Sequence, residues 1–179
     1  MKSKVNVDVI VHDEQWLEAV DFDVFKVVEE LKELAFGYIE EVYSKGQHEF
    51  LSAGYELNVN VCLSNDDEVH QLNKEFRGID KPTNVLSFAN IDGDFFEEIE
   101  RENEADLGEI VLAFETLQQE AYLKNITVYA HFCHLLVHGF LHLLGFDHQK
   151  NSDATVMEGL EVEILDAFSI DNPYSGEEV

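Results

Sequence analysis

The chain is poor in residues that cross-link or interrupt a fold. Its 179 residues include two cysteines, Cys62 and Cys133, and two prolines, Pro82 and Pro173. That excludes a disulfide framework. Two lone cysteines make no zinc knuckle, and the pair fits a reducing cytoplasm. No apolar run reaches the ~18 residues that a membrane helix needs, so no membrane association is expected. The amino-terminal stretch MKSKVNVDVIVHDEQW lacks the apolar segment and cleavage site of a secretory signal. Positive charge is scarce too: 11 Lys and Arg stand against 38 Asp and Glu, a formal net charge of −27. Indiscriminate binding of nucleic acid usually needs a basic surface, and this balance argues against it. It favours solubility and says little about fold.

What is present suits one domain, residues 1–179, with a sizeable core. Val5, Val7 and Val9 alternate with polar residues and predict a strand. Apolar residues from Val24 to Val42 recur at helical spacing within about 22–43. Ser44–Gly54 reads as a loop. Leu57, Val59, Val61 and Leu63 alternate as a half-buried strand. Ser64 offers an N-cap for a short helix reaching about Phe76, with Asp66 and Asp67 in its first turn. The turn formers Gly78, Asp80 and Pro82 make 77–84 a loop, and Val85–Phe88 a strand follows. Residues 89–106, with eight acids and Arg101 as their one base, read as a solvated loop. Leu107–Phe114 is a buried strand, and helices follow over about 115–123, 127–144 and 153–168. The order β-α-β-α-β-β-α-α-α implies an α+β fold with one mixed sheet of about four strands packed against several helices.

The chemistry concentrates in HGFLHLLGFDH, residues 138–148. His138 and His142 lie four apart on a helix and share a face, so both can grip one ion. Gly145 can adopt the left-handed conformation that ends a helix, which returns His148 to the same ion. Three imidazoles leave a fourth position open, as at a catalytic zinc. The same helix carries His131 and His134 on the same stripe. His134 either orients a ligand or sits half-exposed at the helix edge, and His131 has no assigned role. Metzincin proteases share this histidine spacing but place a glutamate, the general base, where this chain has Gly139. That argues against peptide hydrolysis. A glycine there would also leave room beside the metal for a bulky phosphodiester.

The motif resembles that of the YbeY family of bacterial endoribonucleases, HGxLHLxGyDH. A second family segment, YRGxDKPTNVLSF, stands here as FRGIDKPTNVLSF at 76–88, and GDIVI stands as GEIVL at 108–112. A glutamate-rich helix ending in NPY matches Met157 to Tyr174. The resemblance implies a single α+β domain with a zincin-like metal helix and one Zn²⁺ per chain, held by His138, His142 and His148. It implies a hydrolase of single-stranded RNA, acting in 3′ end maturation of small-subunit (16S) ribosomal RNA and in ribosome quality control. It makes Arg77 and His138 catalytic and implies no nucleotide cofactor. Expected partners are ribosomal RNA and the small ribosomal subunit, with ribosomal proteins or an assembly GTPase besides.

The residues themselves support Arg77. Its planar fork matches phosphate oxygens, and a fixed guanidinium beside a metal would stabilise charge that builds during phosphodiester cleavage. The bland alternative ties Arg77 to a carboxylate such as Asp80. Lys74 and Lys81 would either add phosphate attraction or, as is usual for exposed lysines beside a turn, stand solvated; Thr83 and Asn84 would cap or brace the loop. With a net charge of −27, the acidic excess is expected to lie away from the cleft, and the 92–106 stretch to offer a contact for a basic ribosomal protein. Two other readings are a non-catalytic ribosome-assembly factor with structural zinc and a zincin-type protease.

Overall fold

Alternating valines at one end of the chain and two strands in its middle that end in apolar runs dictate how the sheet assembles. The computed structural model describes residues 1–43 and 45–176. Strands β1 (Lys4–Val11), β2 (Glu56–Ser64), β3 (Val85–Ala89) and β4 (Glu104–Ala113) form one sheet in the order β1-β2-β4-β3. β1, β2 and β4 run parallel, and β3 pairs antiparallel with β4 at the edge. The sheet is therefore mixed and four-stranded, as the sequence predicts. β2 and β4 are central; they alternate where they begin and become continuously buried over Val61–Ser64 and Ile110–Ala113, where both faces are covered.

Helices α1 (Gln15–Glu18), α2 (Val24–Val42), α3 (Asp66–Arg77), α4 (Phe95–Glu102), α5 (Phe114–Leu123), α6 (Val128–Leu143) and α7 (Asn151–Ala167) complete the fold. Leu57, Val59, Val61 and Leu63 of β2 and Leu107, Ile110 and Leu112 of β4 face the main core, shared with α2, α6 and α7. Cys62, Val111 and Leu86 point the other way, into a smaller core with Val69 of α3. α6 is apolar almost all round because neighbours enclose it; Phe132, Leu136, Val137, Phe140 and Leu141 have no exposed surface. Burying each such side chain is worth about 1.5–3 kcal/mol. Trp16 of α1 packs edge-on against Phe114 at 5.1 Å and donates its indole N–H to the Ser64 carbonyl at 2.7 Å. No single helix among the described residues is long and apolar enough to cross a membrane.

Three sequence expectations are corrected, and one short helix went unpredicted. Residues 89–106 are not a solvated loop: they contain α4, and β4 already begins at Glu104. Phe95 and Ile99, four apart, are buried on one side of α4, while Glu97, Glu98, Glu100 and Glu102 face out. The acids thus form the wet side of an amphipathic helix. Within 44–54, residues Gly46–Ser52 form a 3₁₀ helix that buries His48, Phe50 and Leu51; Ser44 lies outside the described residues. The N-cap of α3 is Asn65, whose side chain accepts from the Glu68 N–H at 3.0 Å, whereas Ser64 ends β2. α1 was not expected at all, because four residues carry too little periodicity to register.

Candidate functional site

Thr127 starts α6, the helix that carries the histidine motif. Its hydroxyl accepts from the Ala130 N–H at 3.0 Å, fixing where α6 begins and hence which residues face the cleft. His138 and His142 follow on one face. Just past the end of α6 the chain turns at Gly145, whose φ of +87° is the left-handed conformation expected from the sequence. The Phe146 N–H then bonds back to the Leu141 carbonyl at 3.0 Å, and the chain doubles back to His148.

His48 braces that return, and no sequence signal marked it. Its ring stacks on Phe146 at 4.9 Å and nearly parallel, and its Nε2 donates to the Leu144 carbonyl at 2.8 Å. Burial holds the His48 imidazole below its ordinary pKa, so it stays neutral.

The three predicted ligands converge. One ring nitrogen from each of His138, His142 and His148 lies within 4.8 Å of the others. The Nε2 atoms of His138 and His142 face each other at 3.0 Å. Burial first, then the neighbouring His138 and His148, push the His142 pKa down to about 4, so its lone pair is available at neutral pH.

Glu161 of α7 sets the tautomer. It has no exposed surface, and one of its oxygens accepts from His138 Nδ1. The His138 Nε2 lone pair is thereby left facing His142, the pattern by which carboxylates orient metal-binding histidines. The other Glu161 oxygen accepts from the Tyr174 hydroxyl, and His134 Nε2 lies 3.5 Å from it. Burial alone would raise the Glu161 carboxyl; bonds from His134 and His138 outweigh it and hold the group at about 2. His134 is thus buried in this network rather than half-exposed at an edge, and it reaches His138 through their shared carboxylate. Neither Glu161 nor Tyr174 could be singled out from sequence, because only the packing of α7 and the following turn against α6 brings them there. These donors suit a borderline transition ion, and the open side of the triad suits a bound ligand.

His131 belongs elsewhere. It is buried and bonds Glu120 at 2.6 Å, and Glu120 accepts from the Asn84 amide at 2.9 Å. Asn84 Oδ1 also accepts from the Val85 N–H at 2.7 Å. Asn84 therefore braces the start of β3, as expected.

Arg77, the last residue of α3, lines the same cleft of about 710 Å³ as His138, His142 and His148. It is exposed, donates through Nη2 to the Ser87 carbonyl at 3.0 Å, and lies over the Phe88 ring at 5.9 Å. Asp80 is held instead by His70 at 2.8 Å and Lys74 at 3.3 Å, and among the described residues no carboxylate pairs with Arg77. Lys74 is exposed and pairs with Asp80 rather than lining the cleft.

Two suggestions about the cleft are corrected. Gly139 does not open space beside the triad: a Cβ there would meet Ile110 Cδ1 at 2.8 Å, so the glycine lets α6 lie close on β4. Nor does all the acidic excess stay away, because Asp92 and Asp147 line the cleft with Arg77.

Known proteins share this arrangement of sequence. A family model described as Endoribonuclease YbeY matches residues 22–169. The Endoribonuclease YbeY of Sphingopyxis alaskensis is 47% identical over 124 residues, 68% of this chain and 74% of that protein. That of Zymomonas mobilis subsp. mobilis is 42% identical over 142 residues, 78% of this chain and 81% of that protein. The solution structure of TM1509 from Thermotoga maritima superposes with a TM-score of 0.53 over 98% of this chain and all of that one, at 23% identity, which supports the fold. With a family model spanning most of its length and relatives above 40% identity, the chain belongs to the YbeY endoribonuclease family.

Proposed function

We propose that this chain is a zinc-dependent endoribonuclease that cuts single-stranded RNA, with the 3′ region of precursor 16S ribosomal RNA as its substrate, in the cytoplasm. The observation that carries the reading is the shared cleft, lined by three convergent imidazoles and by an arginine that pairs with no carboxylate among the described residues. His138, His142 and His148 would hold the ion. When bound, it supplies Lewis acidity and a water nucleophile near neutral pH.

The protein's own groups do the rest. Glu161 keeps His138 in one tautomer. Arg77 presents a guanidinium where the phosphodiester enters and stabilises charge building on its non-bridging oxygens. The Phe88 ring and the Ser87 carbonyl hold that guanidinium beforehand. Gly139 leaves α6 without the carboxylate that a zinc protease uses as its base, which supports RNA over peptide as substrate.

Asp92 and Asp147 weaken attraction for naked RNA, so the substrate is best supplied within a small-subunit particle, where other contacts hold it. The outward acids of α4 would serve as the contact for a basic ribosomal protein.

Purified wild-type protein with added zinc should cleave single-stranded precursor rRNA; at mapped positions His138→Ala should abolish the cut and Arg77→Ala should slow it by orders of magnitude. Equal trace cleavage by all three would mark a contaminating nuclease and defeat the proposal.

A further inference from the structure

On the sheet face opposite the triad, side chains from three elements meet. His12 follows β1, Cys62 lies within β2, and Glu68 lies in the first turns of α3. One nitrogen of His12, the Cys62 sulfur and a Glu68 oxygen lie within 4.8 Å of one another. His12 Nδ1 is 2.9 and 3.0 Å from the two Glu68 oxygens and 3.3 Å from Cys62 Sγ. The His12 N–H donates to the Leu63 carbonyl at 2.9 Å, and the Ser64 hydroxyl donates to Glu68, so both partners are held in place.

The cluster does not have the form of a nucleophilic triad. A triad needs the thiol on one imidazole nitrogen and the carboxylate on the other. Here sulfur and carboxylate crowd the same nitrogen, which cannot donate to one and accept from the other at once. The thiol is also no nucleophile: burial, with the charges of Glu68 and Glu109 beside it, pushes Cys62 up to about 12.

Convergence of nitrogen, sulfur and oxygen on one point is what a coordinated ion requires. Ligands at ~2.0–2.3 Å on a tetrahedral ion stand roughly 3.3–3.7 Å apart; His12 Nδ1 and Cys62 Sγ already meet that spacing at 3.3 Å, and the 2.9 Å contact of His12 with Glu68 opens by a few tenths of an ångström to admit the ion. The cavity at the cluster, about 420 Å³, is lined by Leu72, Phe76, Phe88 and Glu109. Its apolar walls strengthen the attraction of two carboxylates for a cation. His12 and Glu68 are each partly exposed, which gives an ion a way in.

We propose that His12, Cys62 and Glu68 form a second metal site for a zinc-class transition ion, separate from the triad in the cleft. An ion there ties the end of β1 and the middle of β2 to α3, the helix that carries Arg77. Binding releases the thiol proton to solvent, so affinity rises with pH.

The test is Co²⁺ binding by the purified full chain, followed by absorption and metal analysis. Wild type should take two ions and show a near-ultraviolet sulfur-to-cobalt charge-transfer band. Cys62→Ala should lose the band and one ion. His12→Ala should do the same, and because that side chain is partly exposed its fold should stand, as circular dichroism will show. The double variant His138→Ala/His142→Ala should keep the band, which separates this site from the cleft. The proposal is overturned if wild type shows no such band, or if the band survives Cys62→Ala and disappears with Cys133→Ala.

Discussion

Replacing Glu161 by glutamine keeps the shape of the side chain and removes its charge. Glu161 is fully buried and touches His138, His134 and Tyr174. The gap between about 2 and the ordinary 4.5 corresponds to about 3 kcal/mol favouring the charged form. Glutamine retains one acceptor oxygen, so it forfeits only part of that energy. Its amide would also set a donor against neighbours that donate to the carboxylate. The expected loss is 10–100-fold in zinc affinity, about 1.4–2.7 kcal/mol. Competition titration against a chromophoric zinc chelator at neutral pH measures it, with circular dichroism as the check on fold. A variant that is well folded and binds zinc within twofold of wild type would show that His138 needs no carboxylate, and the reasoning would fail.

Arg77→Ala should lower the cleavage rate by about 10²–10³-fold, while thermal unfolding shows stability unchanged within about 0.5 kcal/mol, because the side chain is exposed. Arg77→Lys should recover only part of the rate, since a point charge lacks the planar fork. Gly139→Ala should cost about 1–3 kcal/mol in urea unfolding by driving a methyl into Ile110, and Ile110→Val should return part of it. The metal-free protein should weaken in acid. His142 sits at about 4, below its ordinary 6.5, so the unfolded chain binds the proton more readily; stability present above about pH 6.5 is lost as pH falls toward 4. His48 acts in the same direction. Urea midpoints from pH 7.5 to 4 should record a loss of about 2–3 kcal/mol, reduced in His142→Gln.

Local periodicity carried most of the fold. The alternation in β1 and β2 and the helical stripe of α2 are each carried by residues close in sequence. α4 was hidden because eight acids dominate its region, although Phe95 and Ile99 four apart were a signal. The triad was legible because its three ligands fall within eleven residues, and the left-handed Gly145 could be anticipated from the turn it must make. Glu161, Tyr174 and His48 were not legible, since each reaches the site through long-range packing of separate elements. Gly139 shows the opposite failure: a residue next to a ligand in sequence was read toward the site, and its backbone turns it toward the sheet.

The antiparallel pairing of β3 has a consequence for solution behaviour. Asn84 and Asn90 exchange backbone bonds with β4, so in alternation the backbone polar groups of Val85, Ser87 and Ala89 point outward from the sheet, with the Val85 N–H already met by the Asn84 side chain. An open row of this kind invites another strand to add to it. Arg77 covers the middle of the row through its bond to the Ser87 carbonyl. The same arginine therefore guards the molecule against edge-to-edge self-association while it waits for a phosphate, and a phosphate must win it from that carbonyl.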